Sequence, residues 1–524
     1  MINSFYLAVV GLVIYGIYSL LQVGSRDKRL PPGPPTTPIF GNALSNSPNG
    51  AWKEVKTHNC HRFEEWAKEY GPVFSLKVFS GTMIVLADQK SVYQLCDKKG
   101  SIYSDRPPLP IPLFITRGAH ITMEPQGPSW REKRTVVTKN LNPKALDEKH
   151  FRIQEAESTV FMNNLLEDPD KVFEWAKLYA TSVAAIISWG FRAKDFNSFW
   201  YREFYDFMDK WLETIEPGAN PPVEFFPFLW YMPGKWKKRV YNTRDRMDKL
   251  WSHGRKLVDE RRSRGDQREC IIDIKLDEYN AEGWKMSQHA FNIMFGELLE
   301  AGADTTANML LTLILAITKF PETQAKARKE LDRVCGTDRT PQFTDFEALP
   351  YINAIVKEGL RWRPTSELGL PHQVSQDDWY DGMLIPKNSV IWIGIWSLHQ
   401  NPDLYPEPEL FNPDRFLSHP HLADKYSVGS DYEKRDHYGY GAGRRICPGI
   451  HLAERSMWRI VAKLLWAFEF SELPDHPLDV NAYTSAILVR PLEYKVKVTP
   501  RSEKHLATIK GELKGAMEFL AQYD

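Results

Sequence analysis

The sequence predicts a mainly α fold with a smaller β region, forming a single large domain behind an N-terminal transmembrane helix. Three observations carry that expectation. Residues 5–23 are uncharged, residues 287–319 read as one unusually long helix, and short β-branched runs are scattered among amphipathic stretches. Hydrophobic residues make up 43% of the 524-residue chain and include 17 Trp, enough to build a large core around a bulky apolar guest. The 67 basic and 67 acidic side chains cancel, which argues against a partner such as nucleic acid that is bound by neutralising phosphates.

Taken in order, the 5–23 run would span roughly 28 Å as a helix at about 1.5 Å per residue, close to a bilayer's hydrocarbon thickness. Its basic residues, Arg26, Lys28 and Arg29, follow the run instead of preceding it. That order disfavours a cleaved secretory peptide and predicts a luminal N-terminus with everything after Arg26 in the cytosol. Pro31-Pro32-Gly33-Pro34-Pro35 lacks most backbone donors and reads as a stiff extended spacer between anchor and body. Residues 73–78, 82–86 and 390–395 read as short strands.

The 287–319 helix starts at a capping Ser287 and stops at Phe320-Pro321. Over 309–317 only Thr312 is polar, so the helix should run through the middle of the domain. A second membrane span is disfavoured because Glu297, Glu300 and Asp304 would place three charges in hydrocarbon. Gly302 and Asp304, in Ala301-Gly302-Ala303-Asp304-Thr305-Thr306, put a helix-weakening residue and an acid in this apolar setting, which calls for a functional reason.

Five cysteines, at 60, 96, 270, 335 and 447, are an odd number without close pairs, so neither a disulfide framework nor a structural zinc site is suggested. Cys447 stands apart. It ends Tyr440-Gly441-Ala442-Gly443-Arg444-Arg445-Ile446 and is followed by Pro448-Gly449 and a helical pattern from Ile450. A helix N-terminus and nearby arginines stabilise a thiolate, and glycines let a loop lie flat against a large planar ligand.

This segment resembles the haem-binding signature of the cytochrome P450 superfamily, with Gly443, Arg445, Cys447 and Gly449 in register and Tyr440 where the family usually has Phe. The resemblance extends along the chain, because further motifs follow in family order. Trp130 and Arg134 match W-x-x-x-R, Glu358 and Arg361 match E-x-x-R, and Phe411-Asn412-Pro413-Asp414-Arg415-Phe416 matches the segment whose arginine completes a Glu-Arg-Arg network. The insert over 421–437 and Leu368-Gly369-Leu370-Pro371-His372 look like microsomal enzymes of filamentous fungi.

The resemblance implies a cytochrome P450 fold, with an anchor and basic flank over 1–30, a proline hinge over 31–35 and a haem-binding catalytic domain over 36–524. It implies haem b (iron protoporphyrin IX) ligated by Cys447 and bound by Trp130, Arg134, His372, Tyr440, Gly443, Arg445 and Gly449. Asp304 and Thr305 would deliver protons during oxygen activation, the helix being loosened at Gly302 to admit O2, while Glu358, Arg361 and Arg415 would be structural. It further implies electrons from NADPH-cytochrome P450 reductase or cytochrome b5, a single-pass site in the endoplasmic reticulum membrane and a small hydrophobic substrate, of the kind met in fungal secondary metabolism. Lys133, Lys139, Arg444, Arg455 and Arg459 are candidates for a basic docking face. Substrate contacts are expected from 107–121, 295–305, 367–370 and 485–488. The rival readings are a reductase-independent isomerase or dehydratase of the same family and a non-catalytic haem-binding membrane protein; Asp304-Thr305 weighs against the first.

Overall fold

The computed structural model describes residues 2–43, 60–216 and 218–524. Its elements follow from the pattern just read. Helix α1 (Ile2–Gln22) stands clear of the body with its apolar side chains exposed, Leu12 by 70% and Tyr15 by 69%. Beyond it lie α2 (Pro128–Asn140), α3 (Phe151–Glu167), α4 (Val172–Trp189), α5 (Phe199–Ile215), α6 (Lys235–Ser263), α7 (Gln288–Lys319), α8 (Pro350–Trp362), α9 (Ile450–Ala467) and α10 (Glu503–Leu520). The small sheet runs β1 (Val73–Val78), β2 (Gly81–Leu86), β4 (Val390–Ile393), β3 (His372–Gln373). β1 and β2 form a hairpin, β2 and β4 pair in parallel with Met83 opposite Val390, and β3 closes the edge antiparallel to β4.

Helix α7 is the axis of the domain. The Ser287 hydroxyl accepts from the Ala290 N–H and caps it, and every residue from 307 to 318 is buried. Two of its polar side chains are paired locally: Thr318 donates to the Ile314 carbonyl at 2.6 Å, and the hydroxyls of Thr312 and Tyr483 lie 3.3 Å apart. Helix α4 packs alongside, where the Trp189 indole N–H donates to the Phe295 carbonyl at 3.0 Å.

Two expectations change here. α7 is helical without a break through Gly302, where a Cβ would come within 3.1 Å of the Ala184 Cβ on α4. The glycine therefore serves close helix packing and does not loosen the helix. Nor do residues 31–35 hang between anchor and body. Proline carbonyls are free acceptors, and Ser75 on β1 takes two of them, its Oγ donating to Pro31 at 2.6 Å and its N–H to Pro32 at 2.7 Å. Arg26 donates to the Gly33 and Pro34 carbonyls, and a Cβ on Gly33 would meet the Ser75 carbonyl at 2.1 Å. The segment is laid onto the sheet.

Candidate active site

The loop carrying Cys447 is shaped by its glycines. Gly443 has φ +67°, its N–H donates to Asp97 at 2.7 Å, and a Cβ there would stand 2.3 Å from the Cys96 carbonyl oxygen. The close approach that demands glycine is thus to the protein's own 93–98 turn, a reason sequence reading did not supply. The Cys447 N–H donates to the Tyr440 carbonyl at 2.9 Å, so Tyr440 supports the cysteine through its backbone while its ring lies 5.6 Å from that of His437.

Cys447 sits just ahead of α9, its sulfur accepting from the Gly449 N–H. Burial pushes its thiol up, against the opposing pull of that N–H and the Arg134 guanidinium. Cys60, Cys96, Cys270 and Cys335 are all buried, whereas Cys447 remains partly open. His451 lies 3.8 Å from Asp424 and is a packing residue of the adjoining helix.

Three arginines gather beside this loop. Arg134, on α2, donates to the Ile446 carbonyl next to the cysteine. Arg445 stacks on the Trp130 indole at 4.1 Å and donates to the carbonyls of Ser104 (2.9 Å), Ile121 (3.3 Å) and Glu124 (2.9 Å). Arg106 donates to the carbonyls of Thr122 (2.8 Å), Leu370 (3.0 Å) and Pro371 (2.5 Å). Burial and mutual repulsion push Arg106 down to about 9 and Arg445 down to about 10. Among the described residues none of the three forms an ion pair with a carboxylate. Asp105, Glu124 and Glu297 act on Arg106 or Arg445 only without an ion-pair contact, so three guanidiniums lacking a carboxylate partner gather about the cysteine loop, a donor set that fits a group carrying two carboxylates and a thiophilic metal.

His372 lies in the same cluster. Its Nδ1 donates to the Tyr103 carbonyl at 2.8 Å, and burial together with Arg106 pushes it down to about 3. The neutral ring's one N–H is therefore already used, and donation from Nε2 to a carboxylate would need a second proton. Sequence reading used Arg106 only to mark where the substrate stretch begins and gave it no part in the cradle; no spacing motif marks it.

On α7, Ala301 is exposed and Gly302, Thr305 and Thr306 are half-buried, between buried stretches on either side, so the helix has an open face there. The Thr305 hydroxyl donates to the Ala301 carbonyl at 2.6 Å. Asp304 is buried and accepts from Asn308 at 3.2 Å; burial pushes its carboxyl up, opposed by Arg490, Lys177 and the Asn308 bond.

A cytochrome P450 family model matches residues 31–498. The chain belongs to the cytochrome P450 family. It is 39% identical over 521 residues to cytochrome P450 monooxygenase atE of Aspergillus terreus, covering 98% of this chain and 95% of that one. It is 40% identical over 525 residues to cytochrome P450 monooxygenase acuD of Aspergillus aculeatus, covering 99% and 97%. With cytochrome P450 monooxygenase patI of Penicillium expansum it shares 40% over 519 residues, covering 98% and 96%. The chain is therefore a monooxygenase-class oxidoreductase of a family that binds haem through a cysteine thiolate and uses O2 and a redox partner.

Elsewhere in the P450 domain, Glu358 and Arg361 on α8 are fully buried, with the Arg361 Nε donating to Glu358 at 3.0 Å and Arg415 at 3.4 Å from the same carboxylate. The candidate docking face does not survive as drawn. Lys133 is 1% exposed and donates to Glu124 and to the Ala119 carbonyl, Arg455 is buried on Asp147, and Arg459 is buried on Glu155. Only Lys139 and Arg444 of that set lie at the surface.

A cavity of about 350 Å³ opens beside Arg106, lined largely by apolar side chains. Residues 107–112, 368–370 and Ile487 line it as expected. The 295–305 stretch does not line this cavity: Phe295, Leu299 and Ala303 are turned into the core, and the open face at Ala301 and Thr305 lies outside it. The β1–β2 hairpin (Val78, Met83) and the end of α5 with Phe225 line it instead.

Proposed function

We propose that this P450 is a membrane-bound haem-thiolate monooxygenase that takes electrons from NADPH-cytochrome P450 reductase, with or without cytochrome b5. Its substrate is a small hydrophobic molecule, in the manner of fungal secondary metabolism. The observation that carries the reading is the gathering of Arg106, Arg134 and Arg445 about the loop that bears Cys447, Arg134 acting on its thiol and none of the three ion-paired with a carboxylate among the described residues. Cys447 would hold the iron of haem b, the three arginines its propionates, and Trp130 would support Arg445 from beneath. The haem, once bound, supplies reductive activation of O2, one oxygen atom going to the substrate and the other, with two protons, to water.

The chain's own groups do the rest. Asp304, its carboxyl pushed up by burial and oriented by Asn308, is the group placed to pass a proton. Thr305, its hydroxyl hydrogen committed to Ala301, presents a lone pair at the open face of α7. The apolar cavity beside Arg106 strips water from the substrate and selects for low polarity. Glu358, Arg361 and Arg415 keep the scaffold behind the cysteine loop in one arrangement.

Membrane residence, with residues 1–30 as anchor and 36–524 as the cytosolic catalytic domain, is supported by α1 and by a second apolar surface at its root. Gly24 packs against Gly41, next to Phe40, and rings run on from Phe40 through Phe79 and Phe226 to Phe228. Phe228 is 62% exposed and Tyr231 85%, the amphipathic aromatic character found at a membrane interface. The endoplasmic reticulum is the membrane this topology suits.

The test is the carbon monoxide difference spectrum of the reduced protein and of Cys447→Ala. A Soret band at the long wavelength of thiolate ligation, lost in the variant, is expected. An unshifted band, or none, from folded wild type given haem refutes the reading.

A further inference from the structure

The cysteine loop and α7 are joined by a buried clasp that the reaction as described does not use. The segment 119–124 lies between them. On one side its backbone N–H groups serve α7: Ile121 donates to Glu297 at 2.6 Å and Thr122 at 2.8 Å, and the Thr122 hydroxyl donates to the same carboxylate. On the other side the carbonyls of those two residues serve the arginines, Ile121 accepting from Arg445 and Thr122 from Arg106. Two consecutive residues are thus held through both their N–H and C=O groups, by one carboxylate and by two guanidiniums.

His120 completes the arrangement. Its Nδ1 lies 2.9 Å from Glu297 and its Nε2 3.3 Å from Glu300, one turn further along α7, and all three residues are buried. Burial alone would keep the ring neutral, but the two carboxyls outweigh it and push His120 up to about 10. Glu297 goes below the usual carboxylate range, because His120, Thr122 and the Ile121 N–H overcome the cost of its burial; Glu300 goes above. The cluster therefore sets the His120 imidazolium against the Glu297 carboxylate, with Glu300 the weaker acid of the two.

The placement argues for more than core packing. A buried carboxylate with a cation is a weak source of net stability, since desolvation offsets the attraction, but it fixes geometry well when every lone pair is used. What it fixes here is the backbone from which Arg106 and Arg445 hang. Thr122 also lines the apolar cavity, so the same residue touches the substrate space, α7 and an arginine of the cradle.

We propose that Glu297, with His120, is a positioning residue that fixes the 119–124 loop and, through its carbonyls, sets Arg106 and Arg445 against the carboxylates of the bound cofactor. The proposal rests on the haem reading above. Glu297→Gln keeps the side chain's shape but removes the charge that accepts two backbone N–H groups and a hydroxyl. Haem transfer from the ferric variant to excess apomyoglobin is expected to run about 10- to 100-fold faster than from wild type, the loss of a charge-assisted hydrogen bond read as a rate. The haem midpoint potential shifts with it, because the guanidiniums that compensate the propionates move. Thr122→Val removes only the hydroxyl, and its haem loss is expected to rise about 3- to 10-fold; it decides the matter if Glu297→Gln fails to fold.

A double-mutant cycle with Arg106→Lys tests the route. Since Glu297 acts through the Thr122 carbonyl that Arg106 uses, the two changes must be less than additive. Wild type with the thiolate-type carbon monoxide band, but haem loss within about two-fold of wild type in both variants, overturns the clasp alone. Full additivity with Arg106→Lys overturns it as well. Wild type lacking that band overturns the haem reading and the clasp with it.

Discussion

Glu358→Gln is the perturbation whose consequence the structure specifies most closely. The carboxylate is fully buried and used on both oxygens: one accepts from the Arg361 Nη2 and from the Asn412 N–H at 2.7 Å, with Arg415 at 3.4 Å, and the other accepts from the Arg361 Nε at 3.0 Å. Glutamine is isosteric, so no cavity opens. Its amide nitrogen, however, must face a donor whichever way it is turned, and the only negative charge beside two guanidiniums is gone. Removing one partner of a buried pair costs about 3–5 kcal/mol. The lower end applies here, because Arg361 keeps the carbonyls of His399, Pro408 and Leu410. For the family-matched stretch 31–498, about 2.1 cal/mol/K per residue gives an unfolding entropy of roughly 1 kcal/mol/K. A loss of roughly 3 kcal/mol then lowers the thermal midpoint by about 3 °C, measured by calorimetry on the haem-loaded protein. The carbon monoxide band at low temperature stays as in wild type, since none of these groups touches Cys447. A midpoint shift below about 1 °C would mean that the network is not carrying an ionised carboxylate, and the argument would fail.

Two further outcomes follow from single residues. His150 is buried with its Nδ1 unpartnered, and burial, then Lys149, push it down to about 4. Its folded pKa lies below the ordinary value of about 6.5, so the unfolded chain takes up the extra proton; its contribution is complete above about pH 6.5 and is lost as pH falls through about 4, at up to about 1.4 kcal/mol per pH unit. His150→Phe should flatten unfolding free energy against pH in that window by up to one proton, and an unchanged slope would sink the assignment. Gly443→Ala places a methyl 2.3 Å from the Cys96 carbonyl oxygen at φ +67°, so the cysteine loop must shift. Haem incorporation measured as the carbon monoxide band per milligram should drop severalfold, and a fully loaded variant of wild-type stability would show that the loop tolerates a Cβ.

Much of the site was legible in sequence because its parts are local. The cysteine and its glycines lie within residues 441–449 and the helix follows directly from Ile450, the Glu358–Arg361 pair is one helical turn, and the α7 cap is a single serine. Gly302 was misread for the complementary reason. Its cause is Ala184, a neighbour on another helix, and a one-dimensional pattern shows a weak helix former without showing what lies against it.

The sequence by itself determined that this is a helix-rich P450 with an apolar N-terminal helix, a central buried helix and one cysteine set in a glycine-arginine loop, since periodicity, composition and local motifs record secondary structure and local chemistry directly. Only the tertiary structure decided which charges are available for work. Lys133, Arg455 and Arg459 look like surface cations in sequence, yet each is buried on an acid, Arg455 on Asp147 some 308 positions away. Arg106, which no motif marks, is brought to the site by carbonyls 264 and 265 positions further on. A charge may be buried only where its partners are assembled around it, and those partners come from distant segments that meet when the core closes on α7.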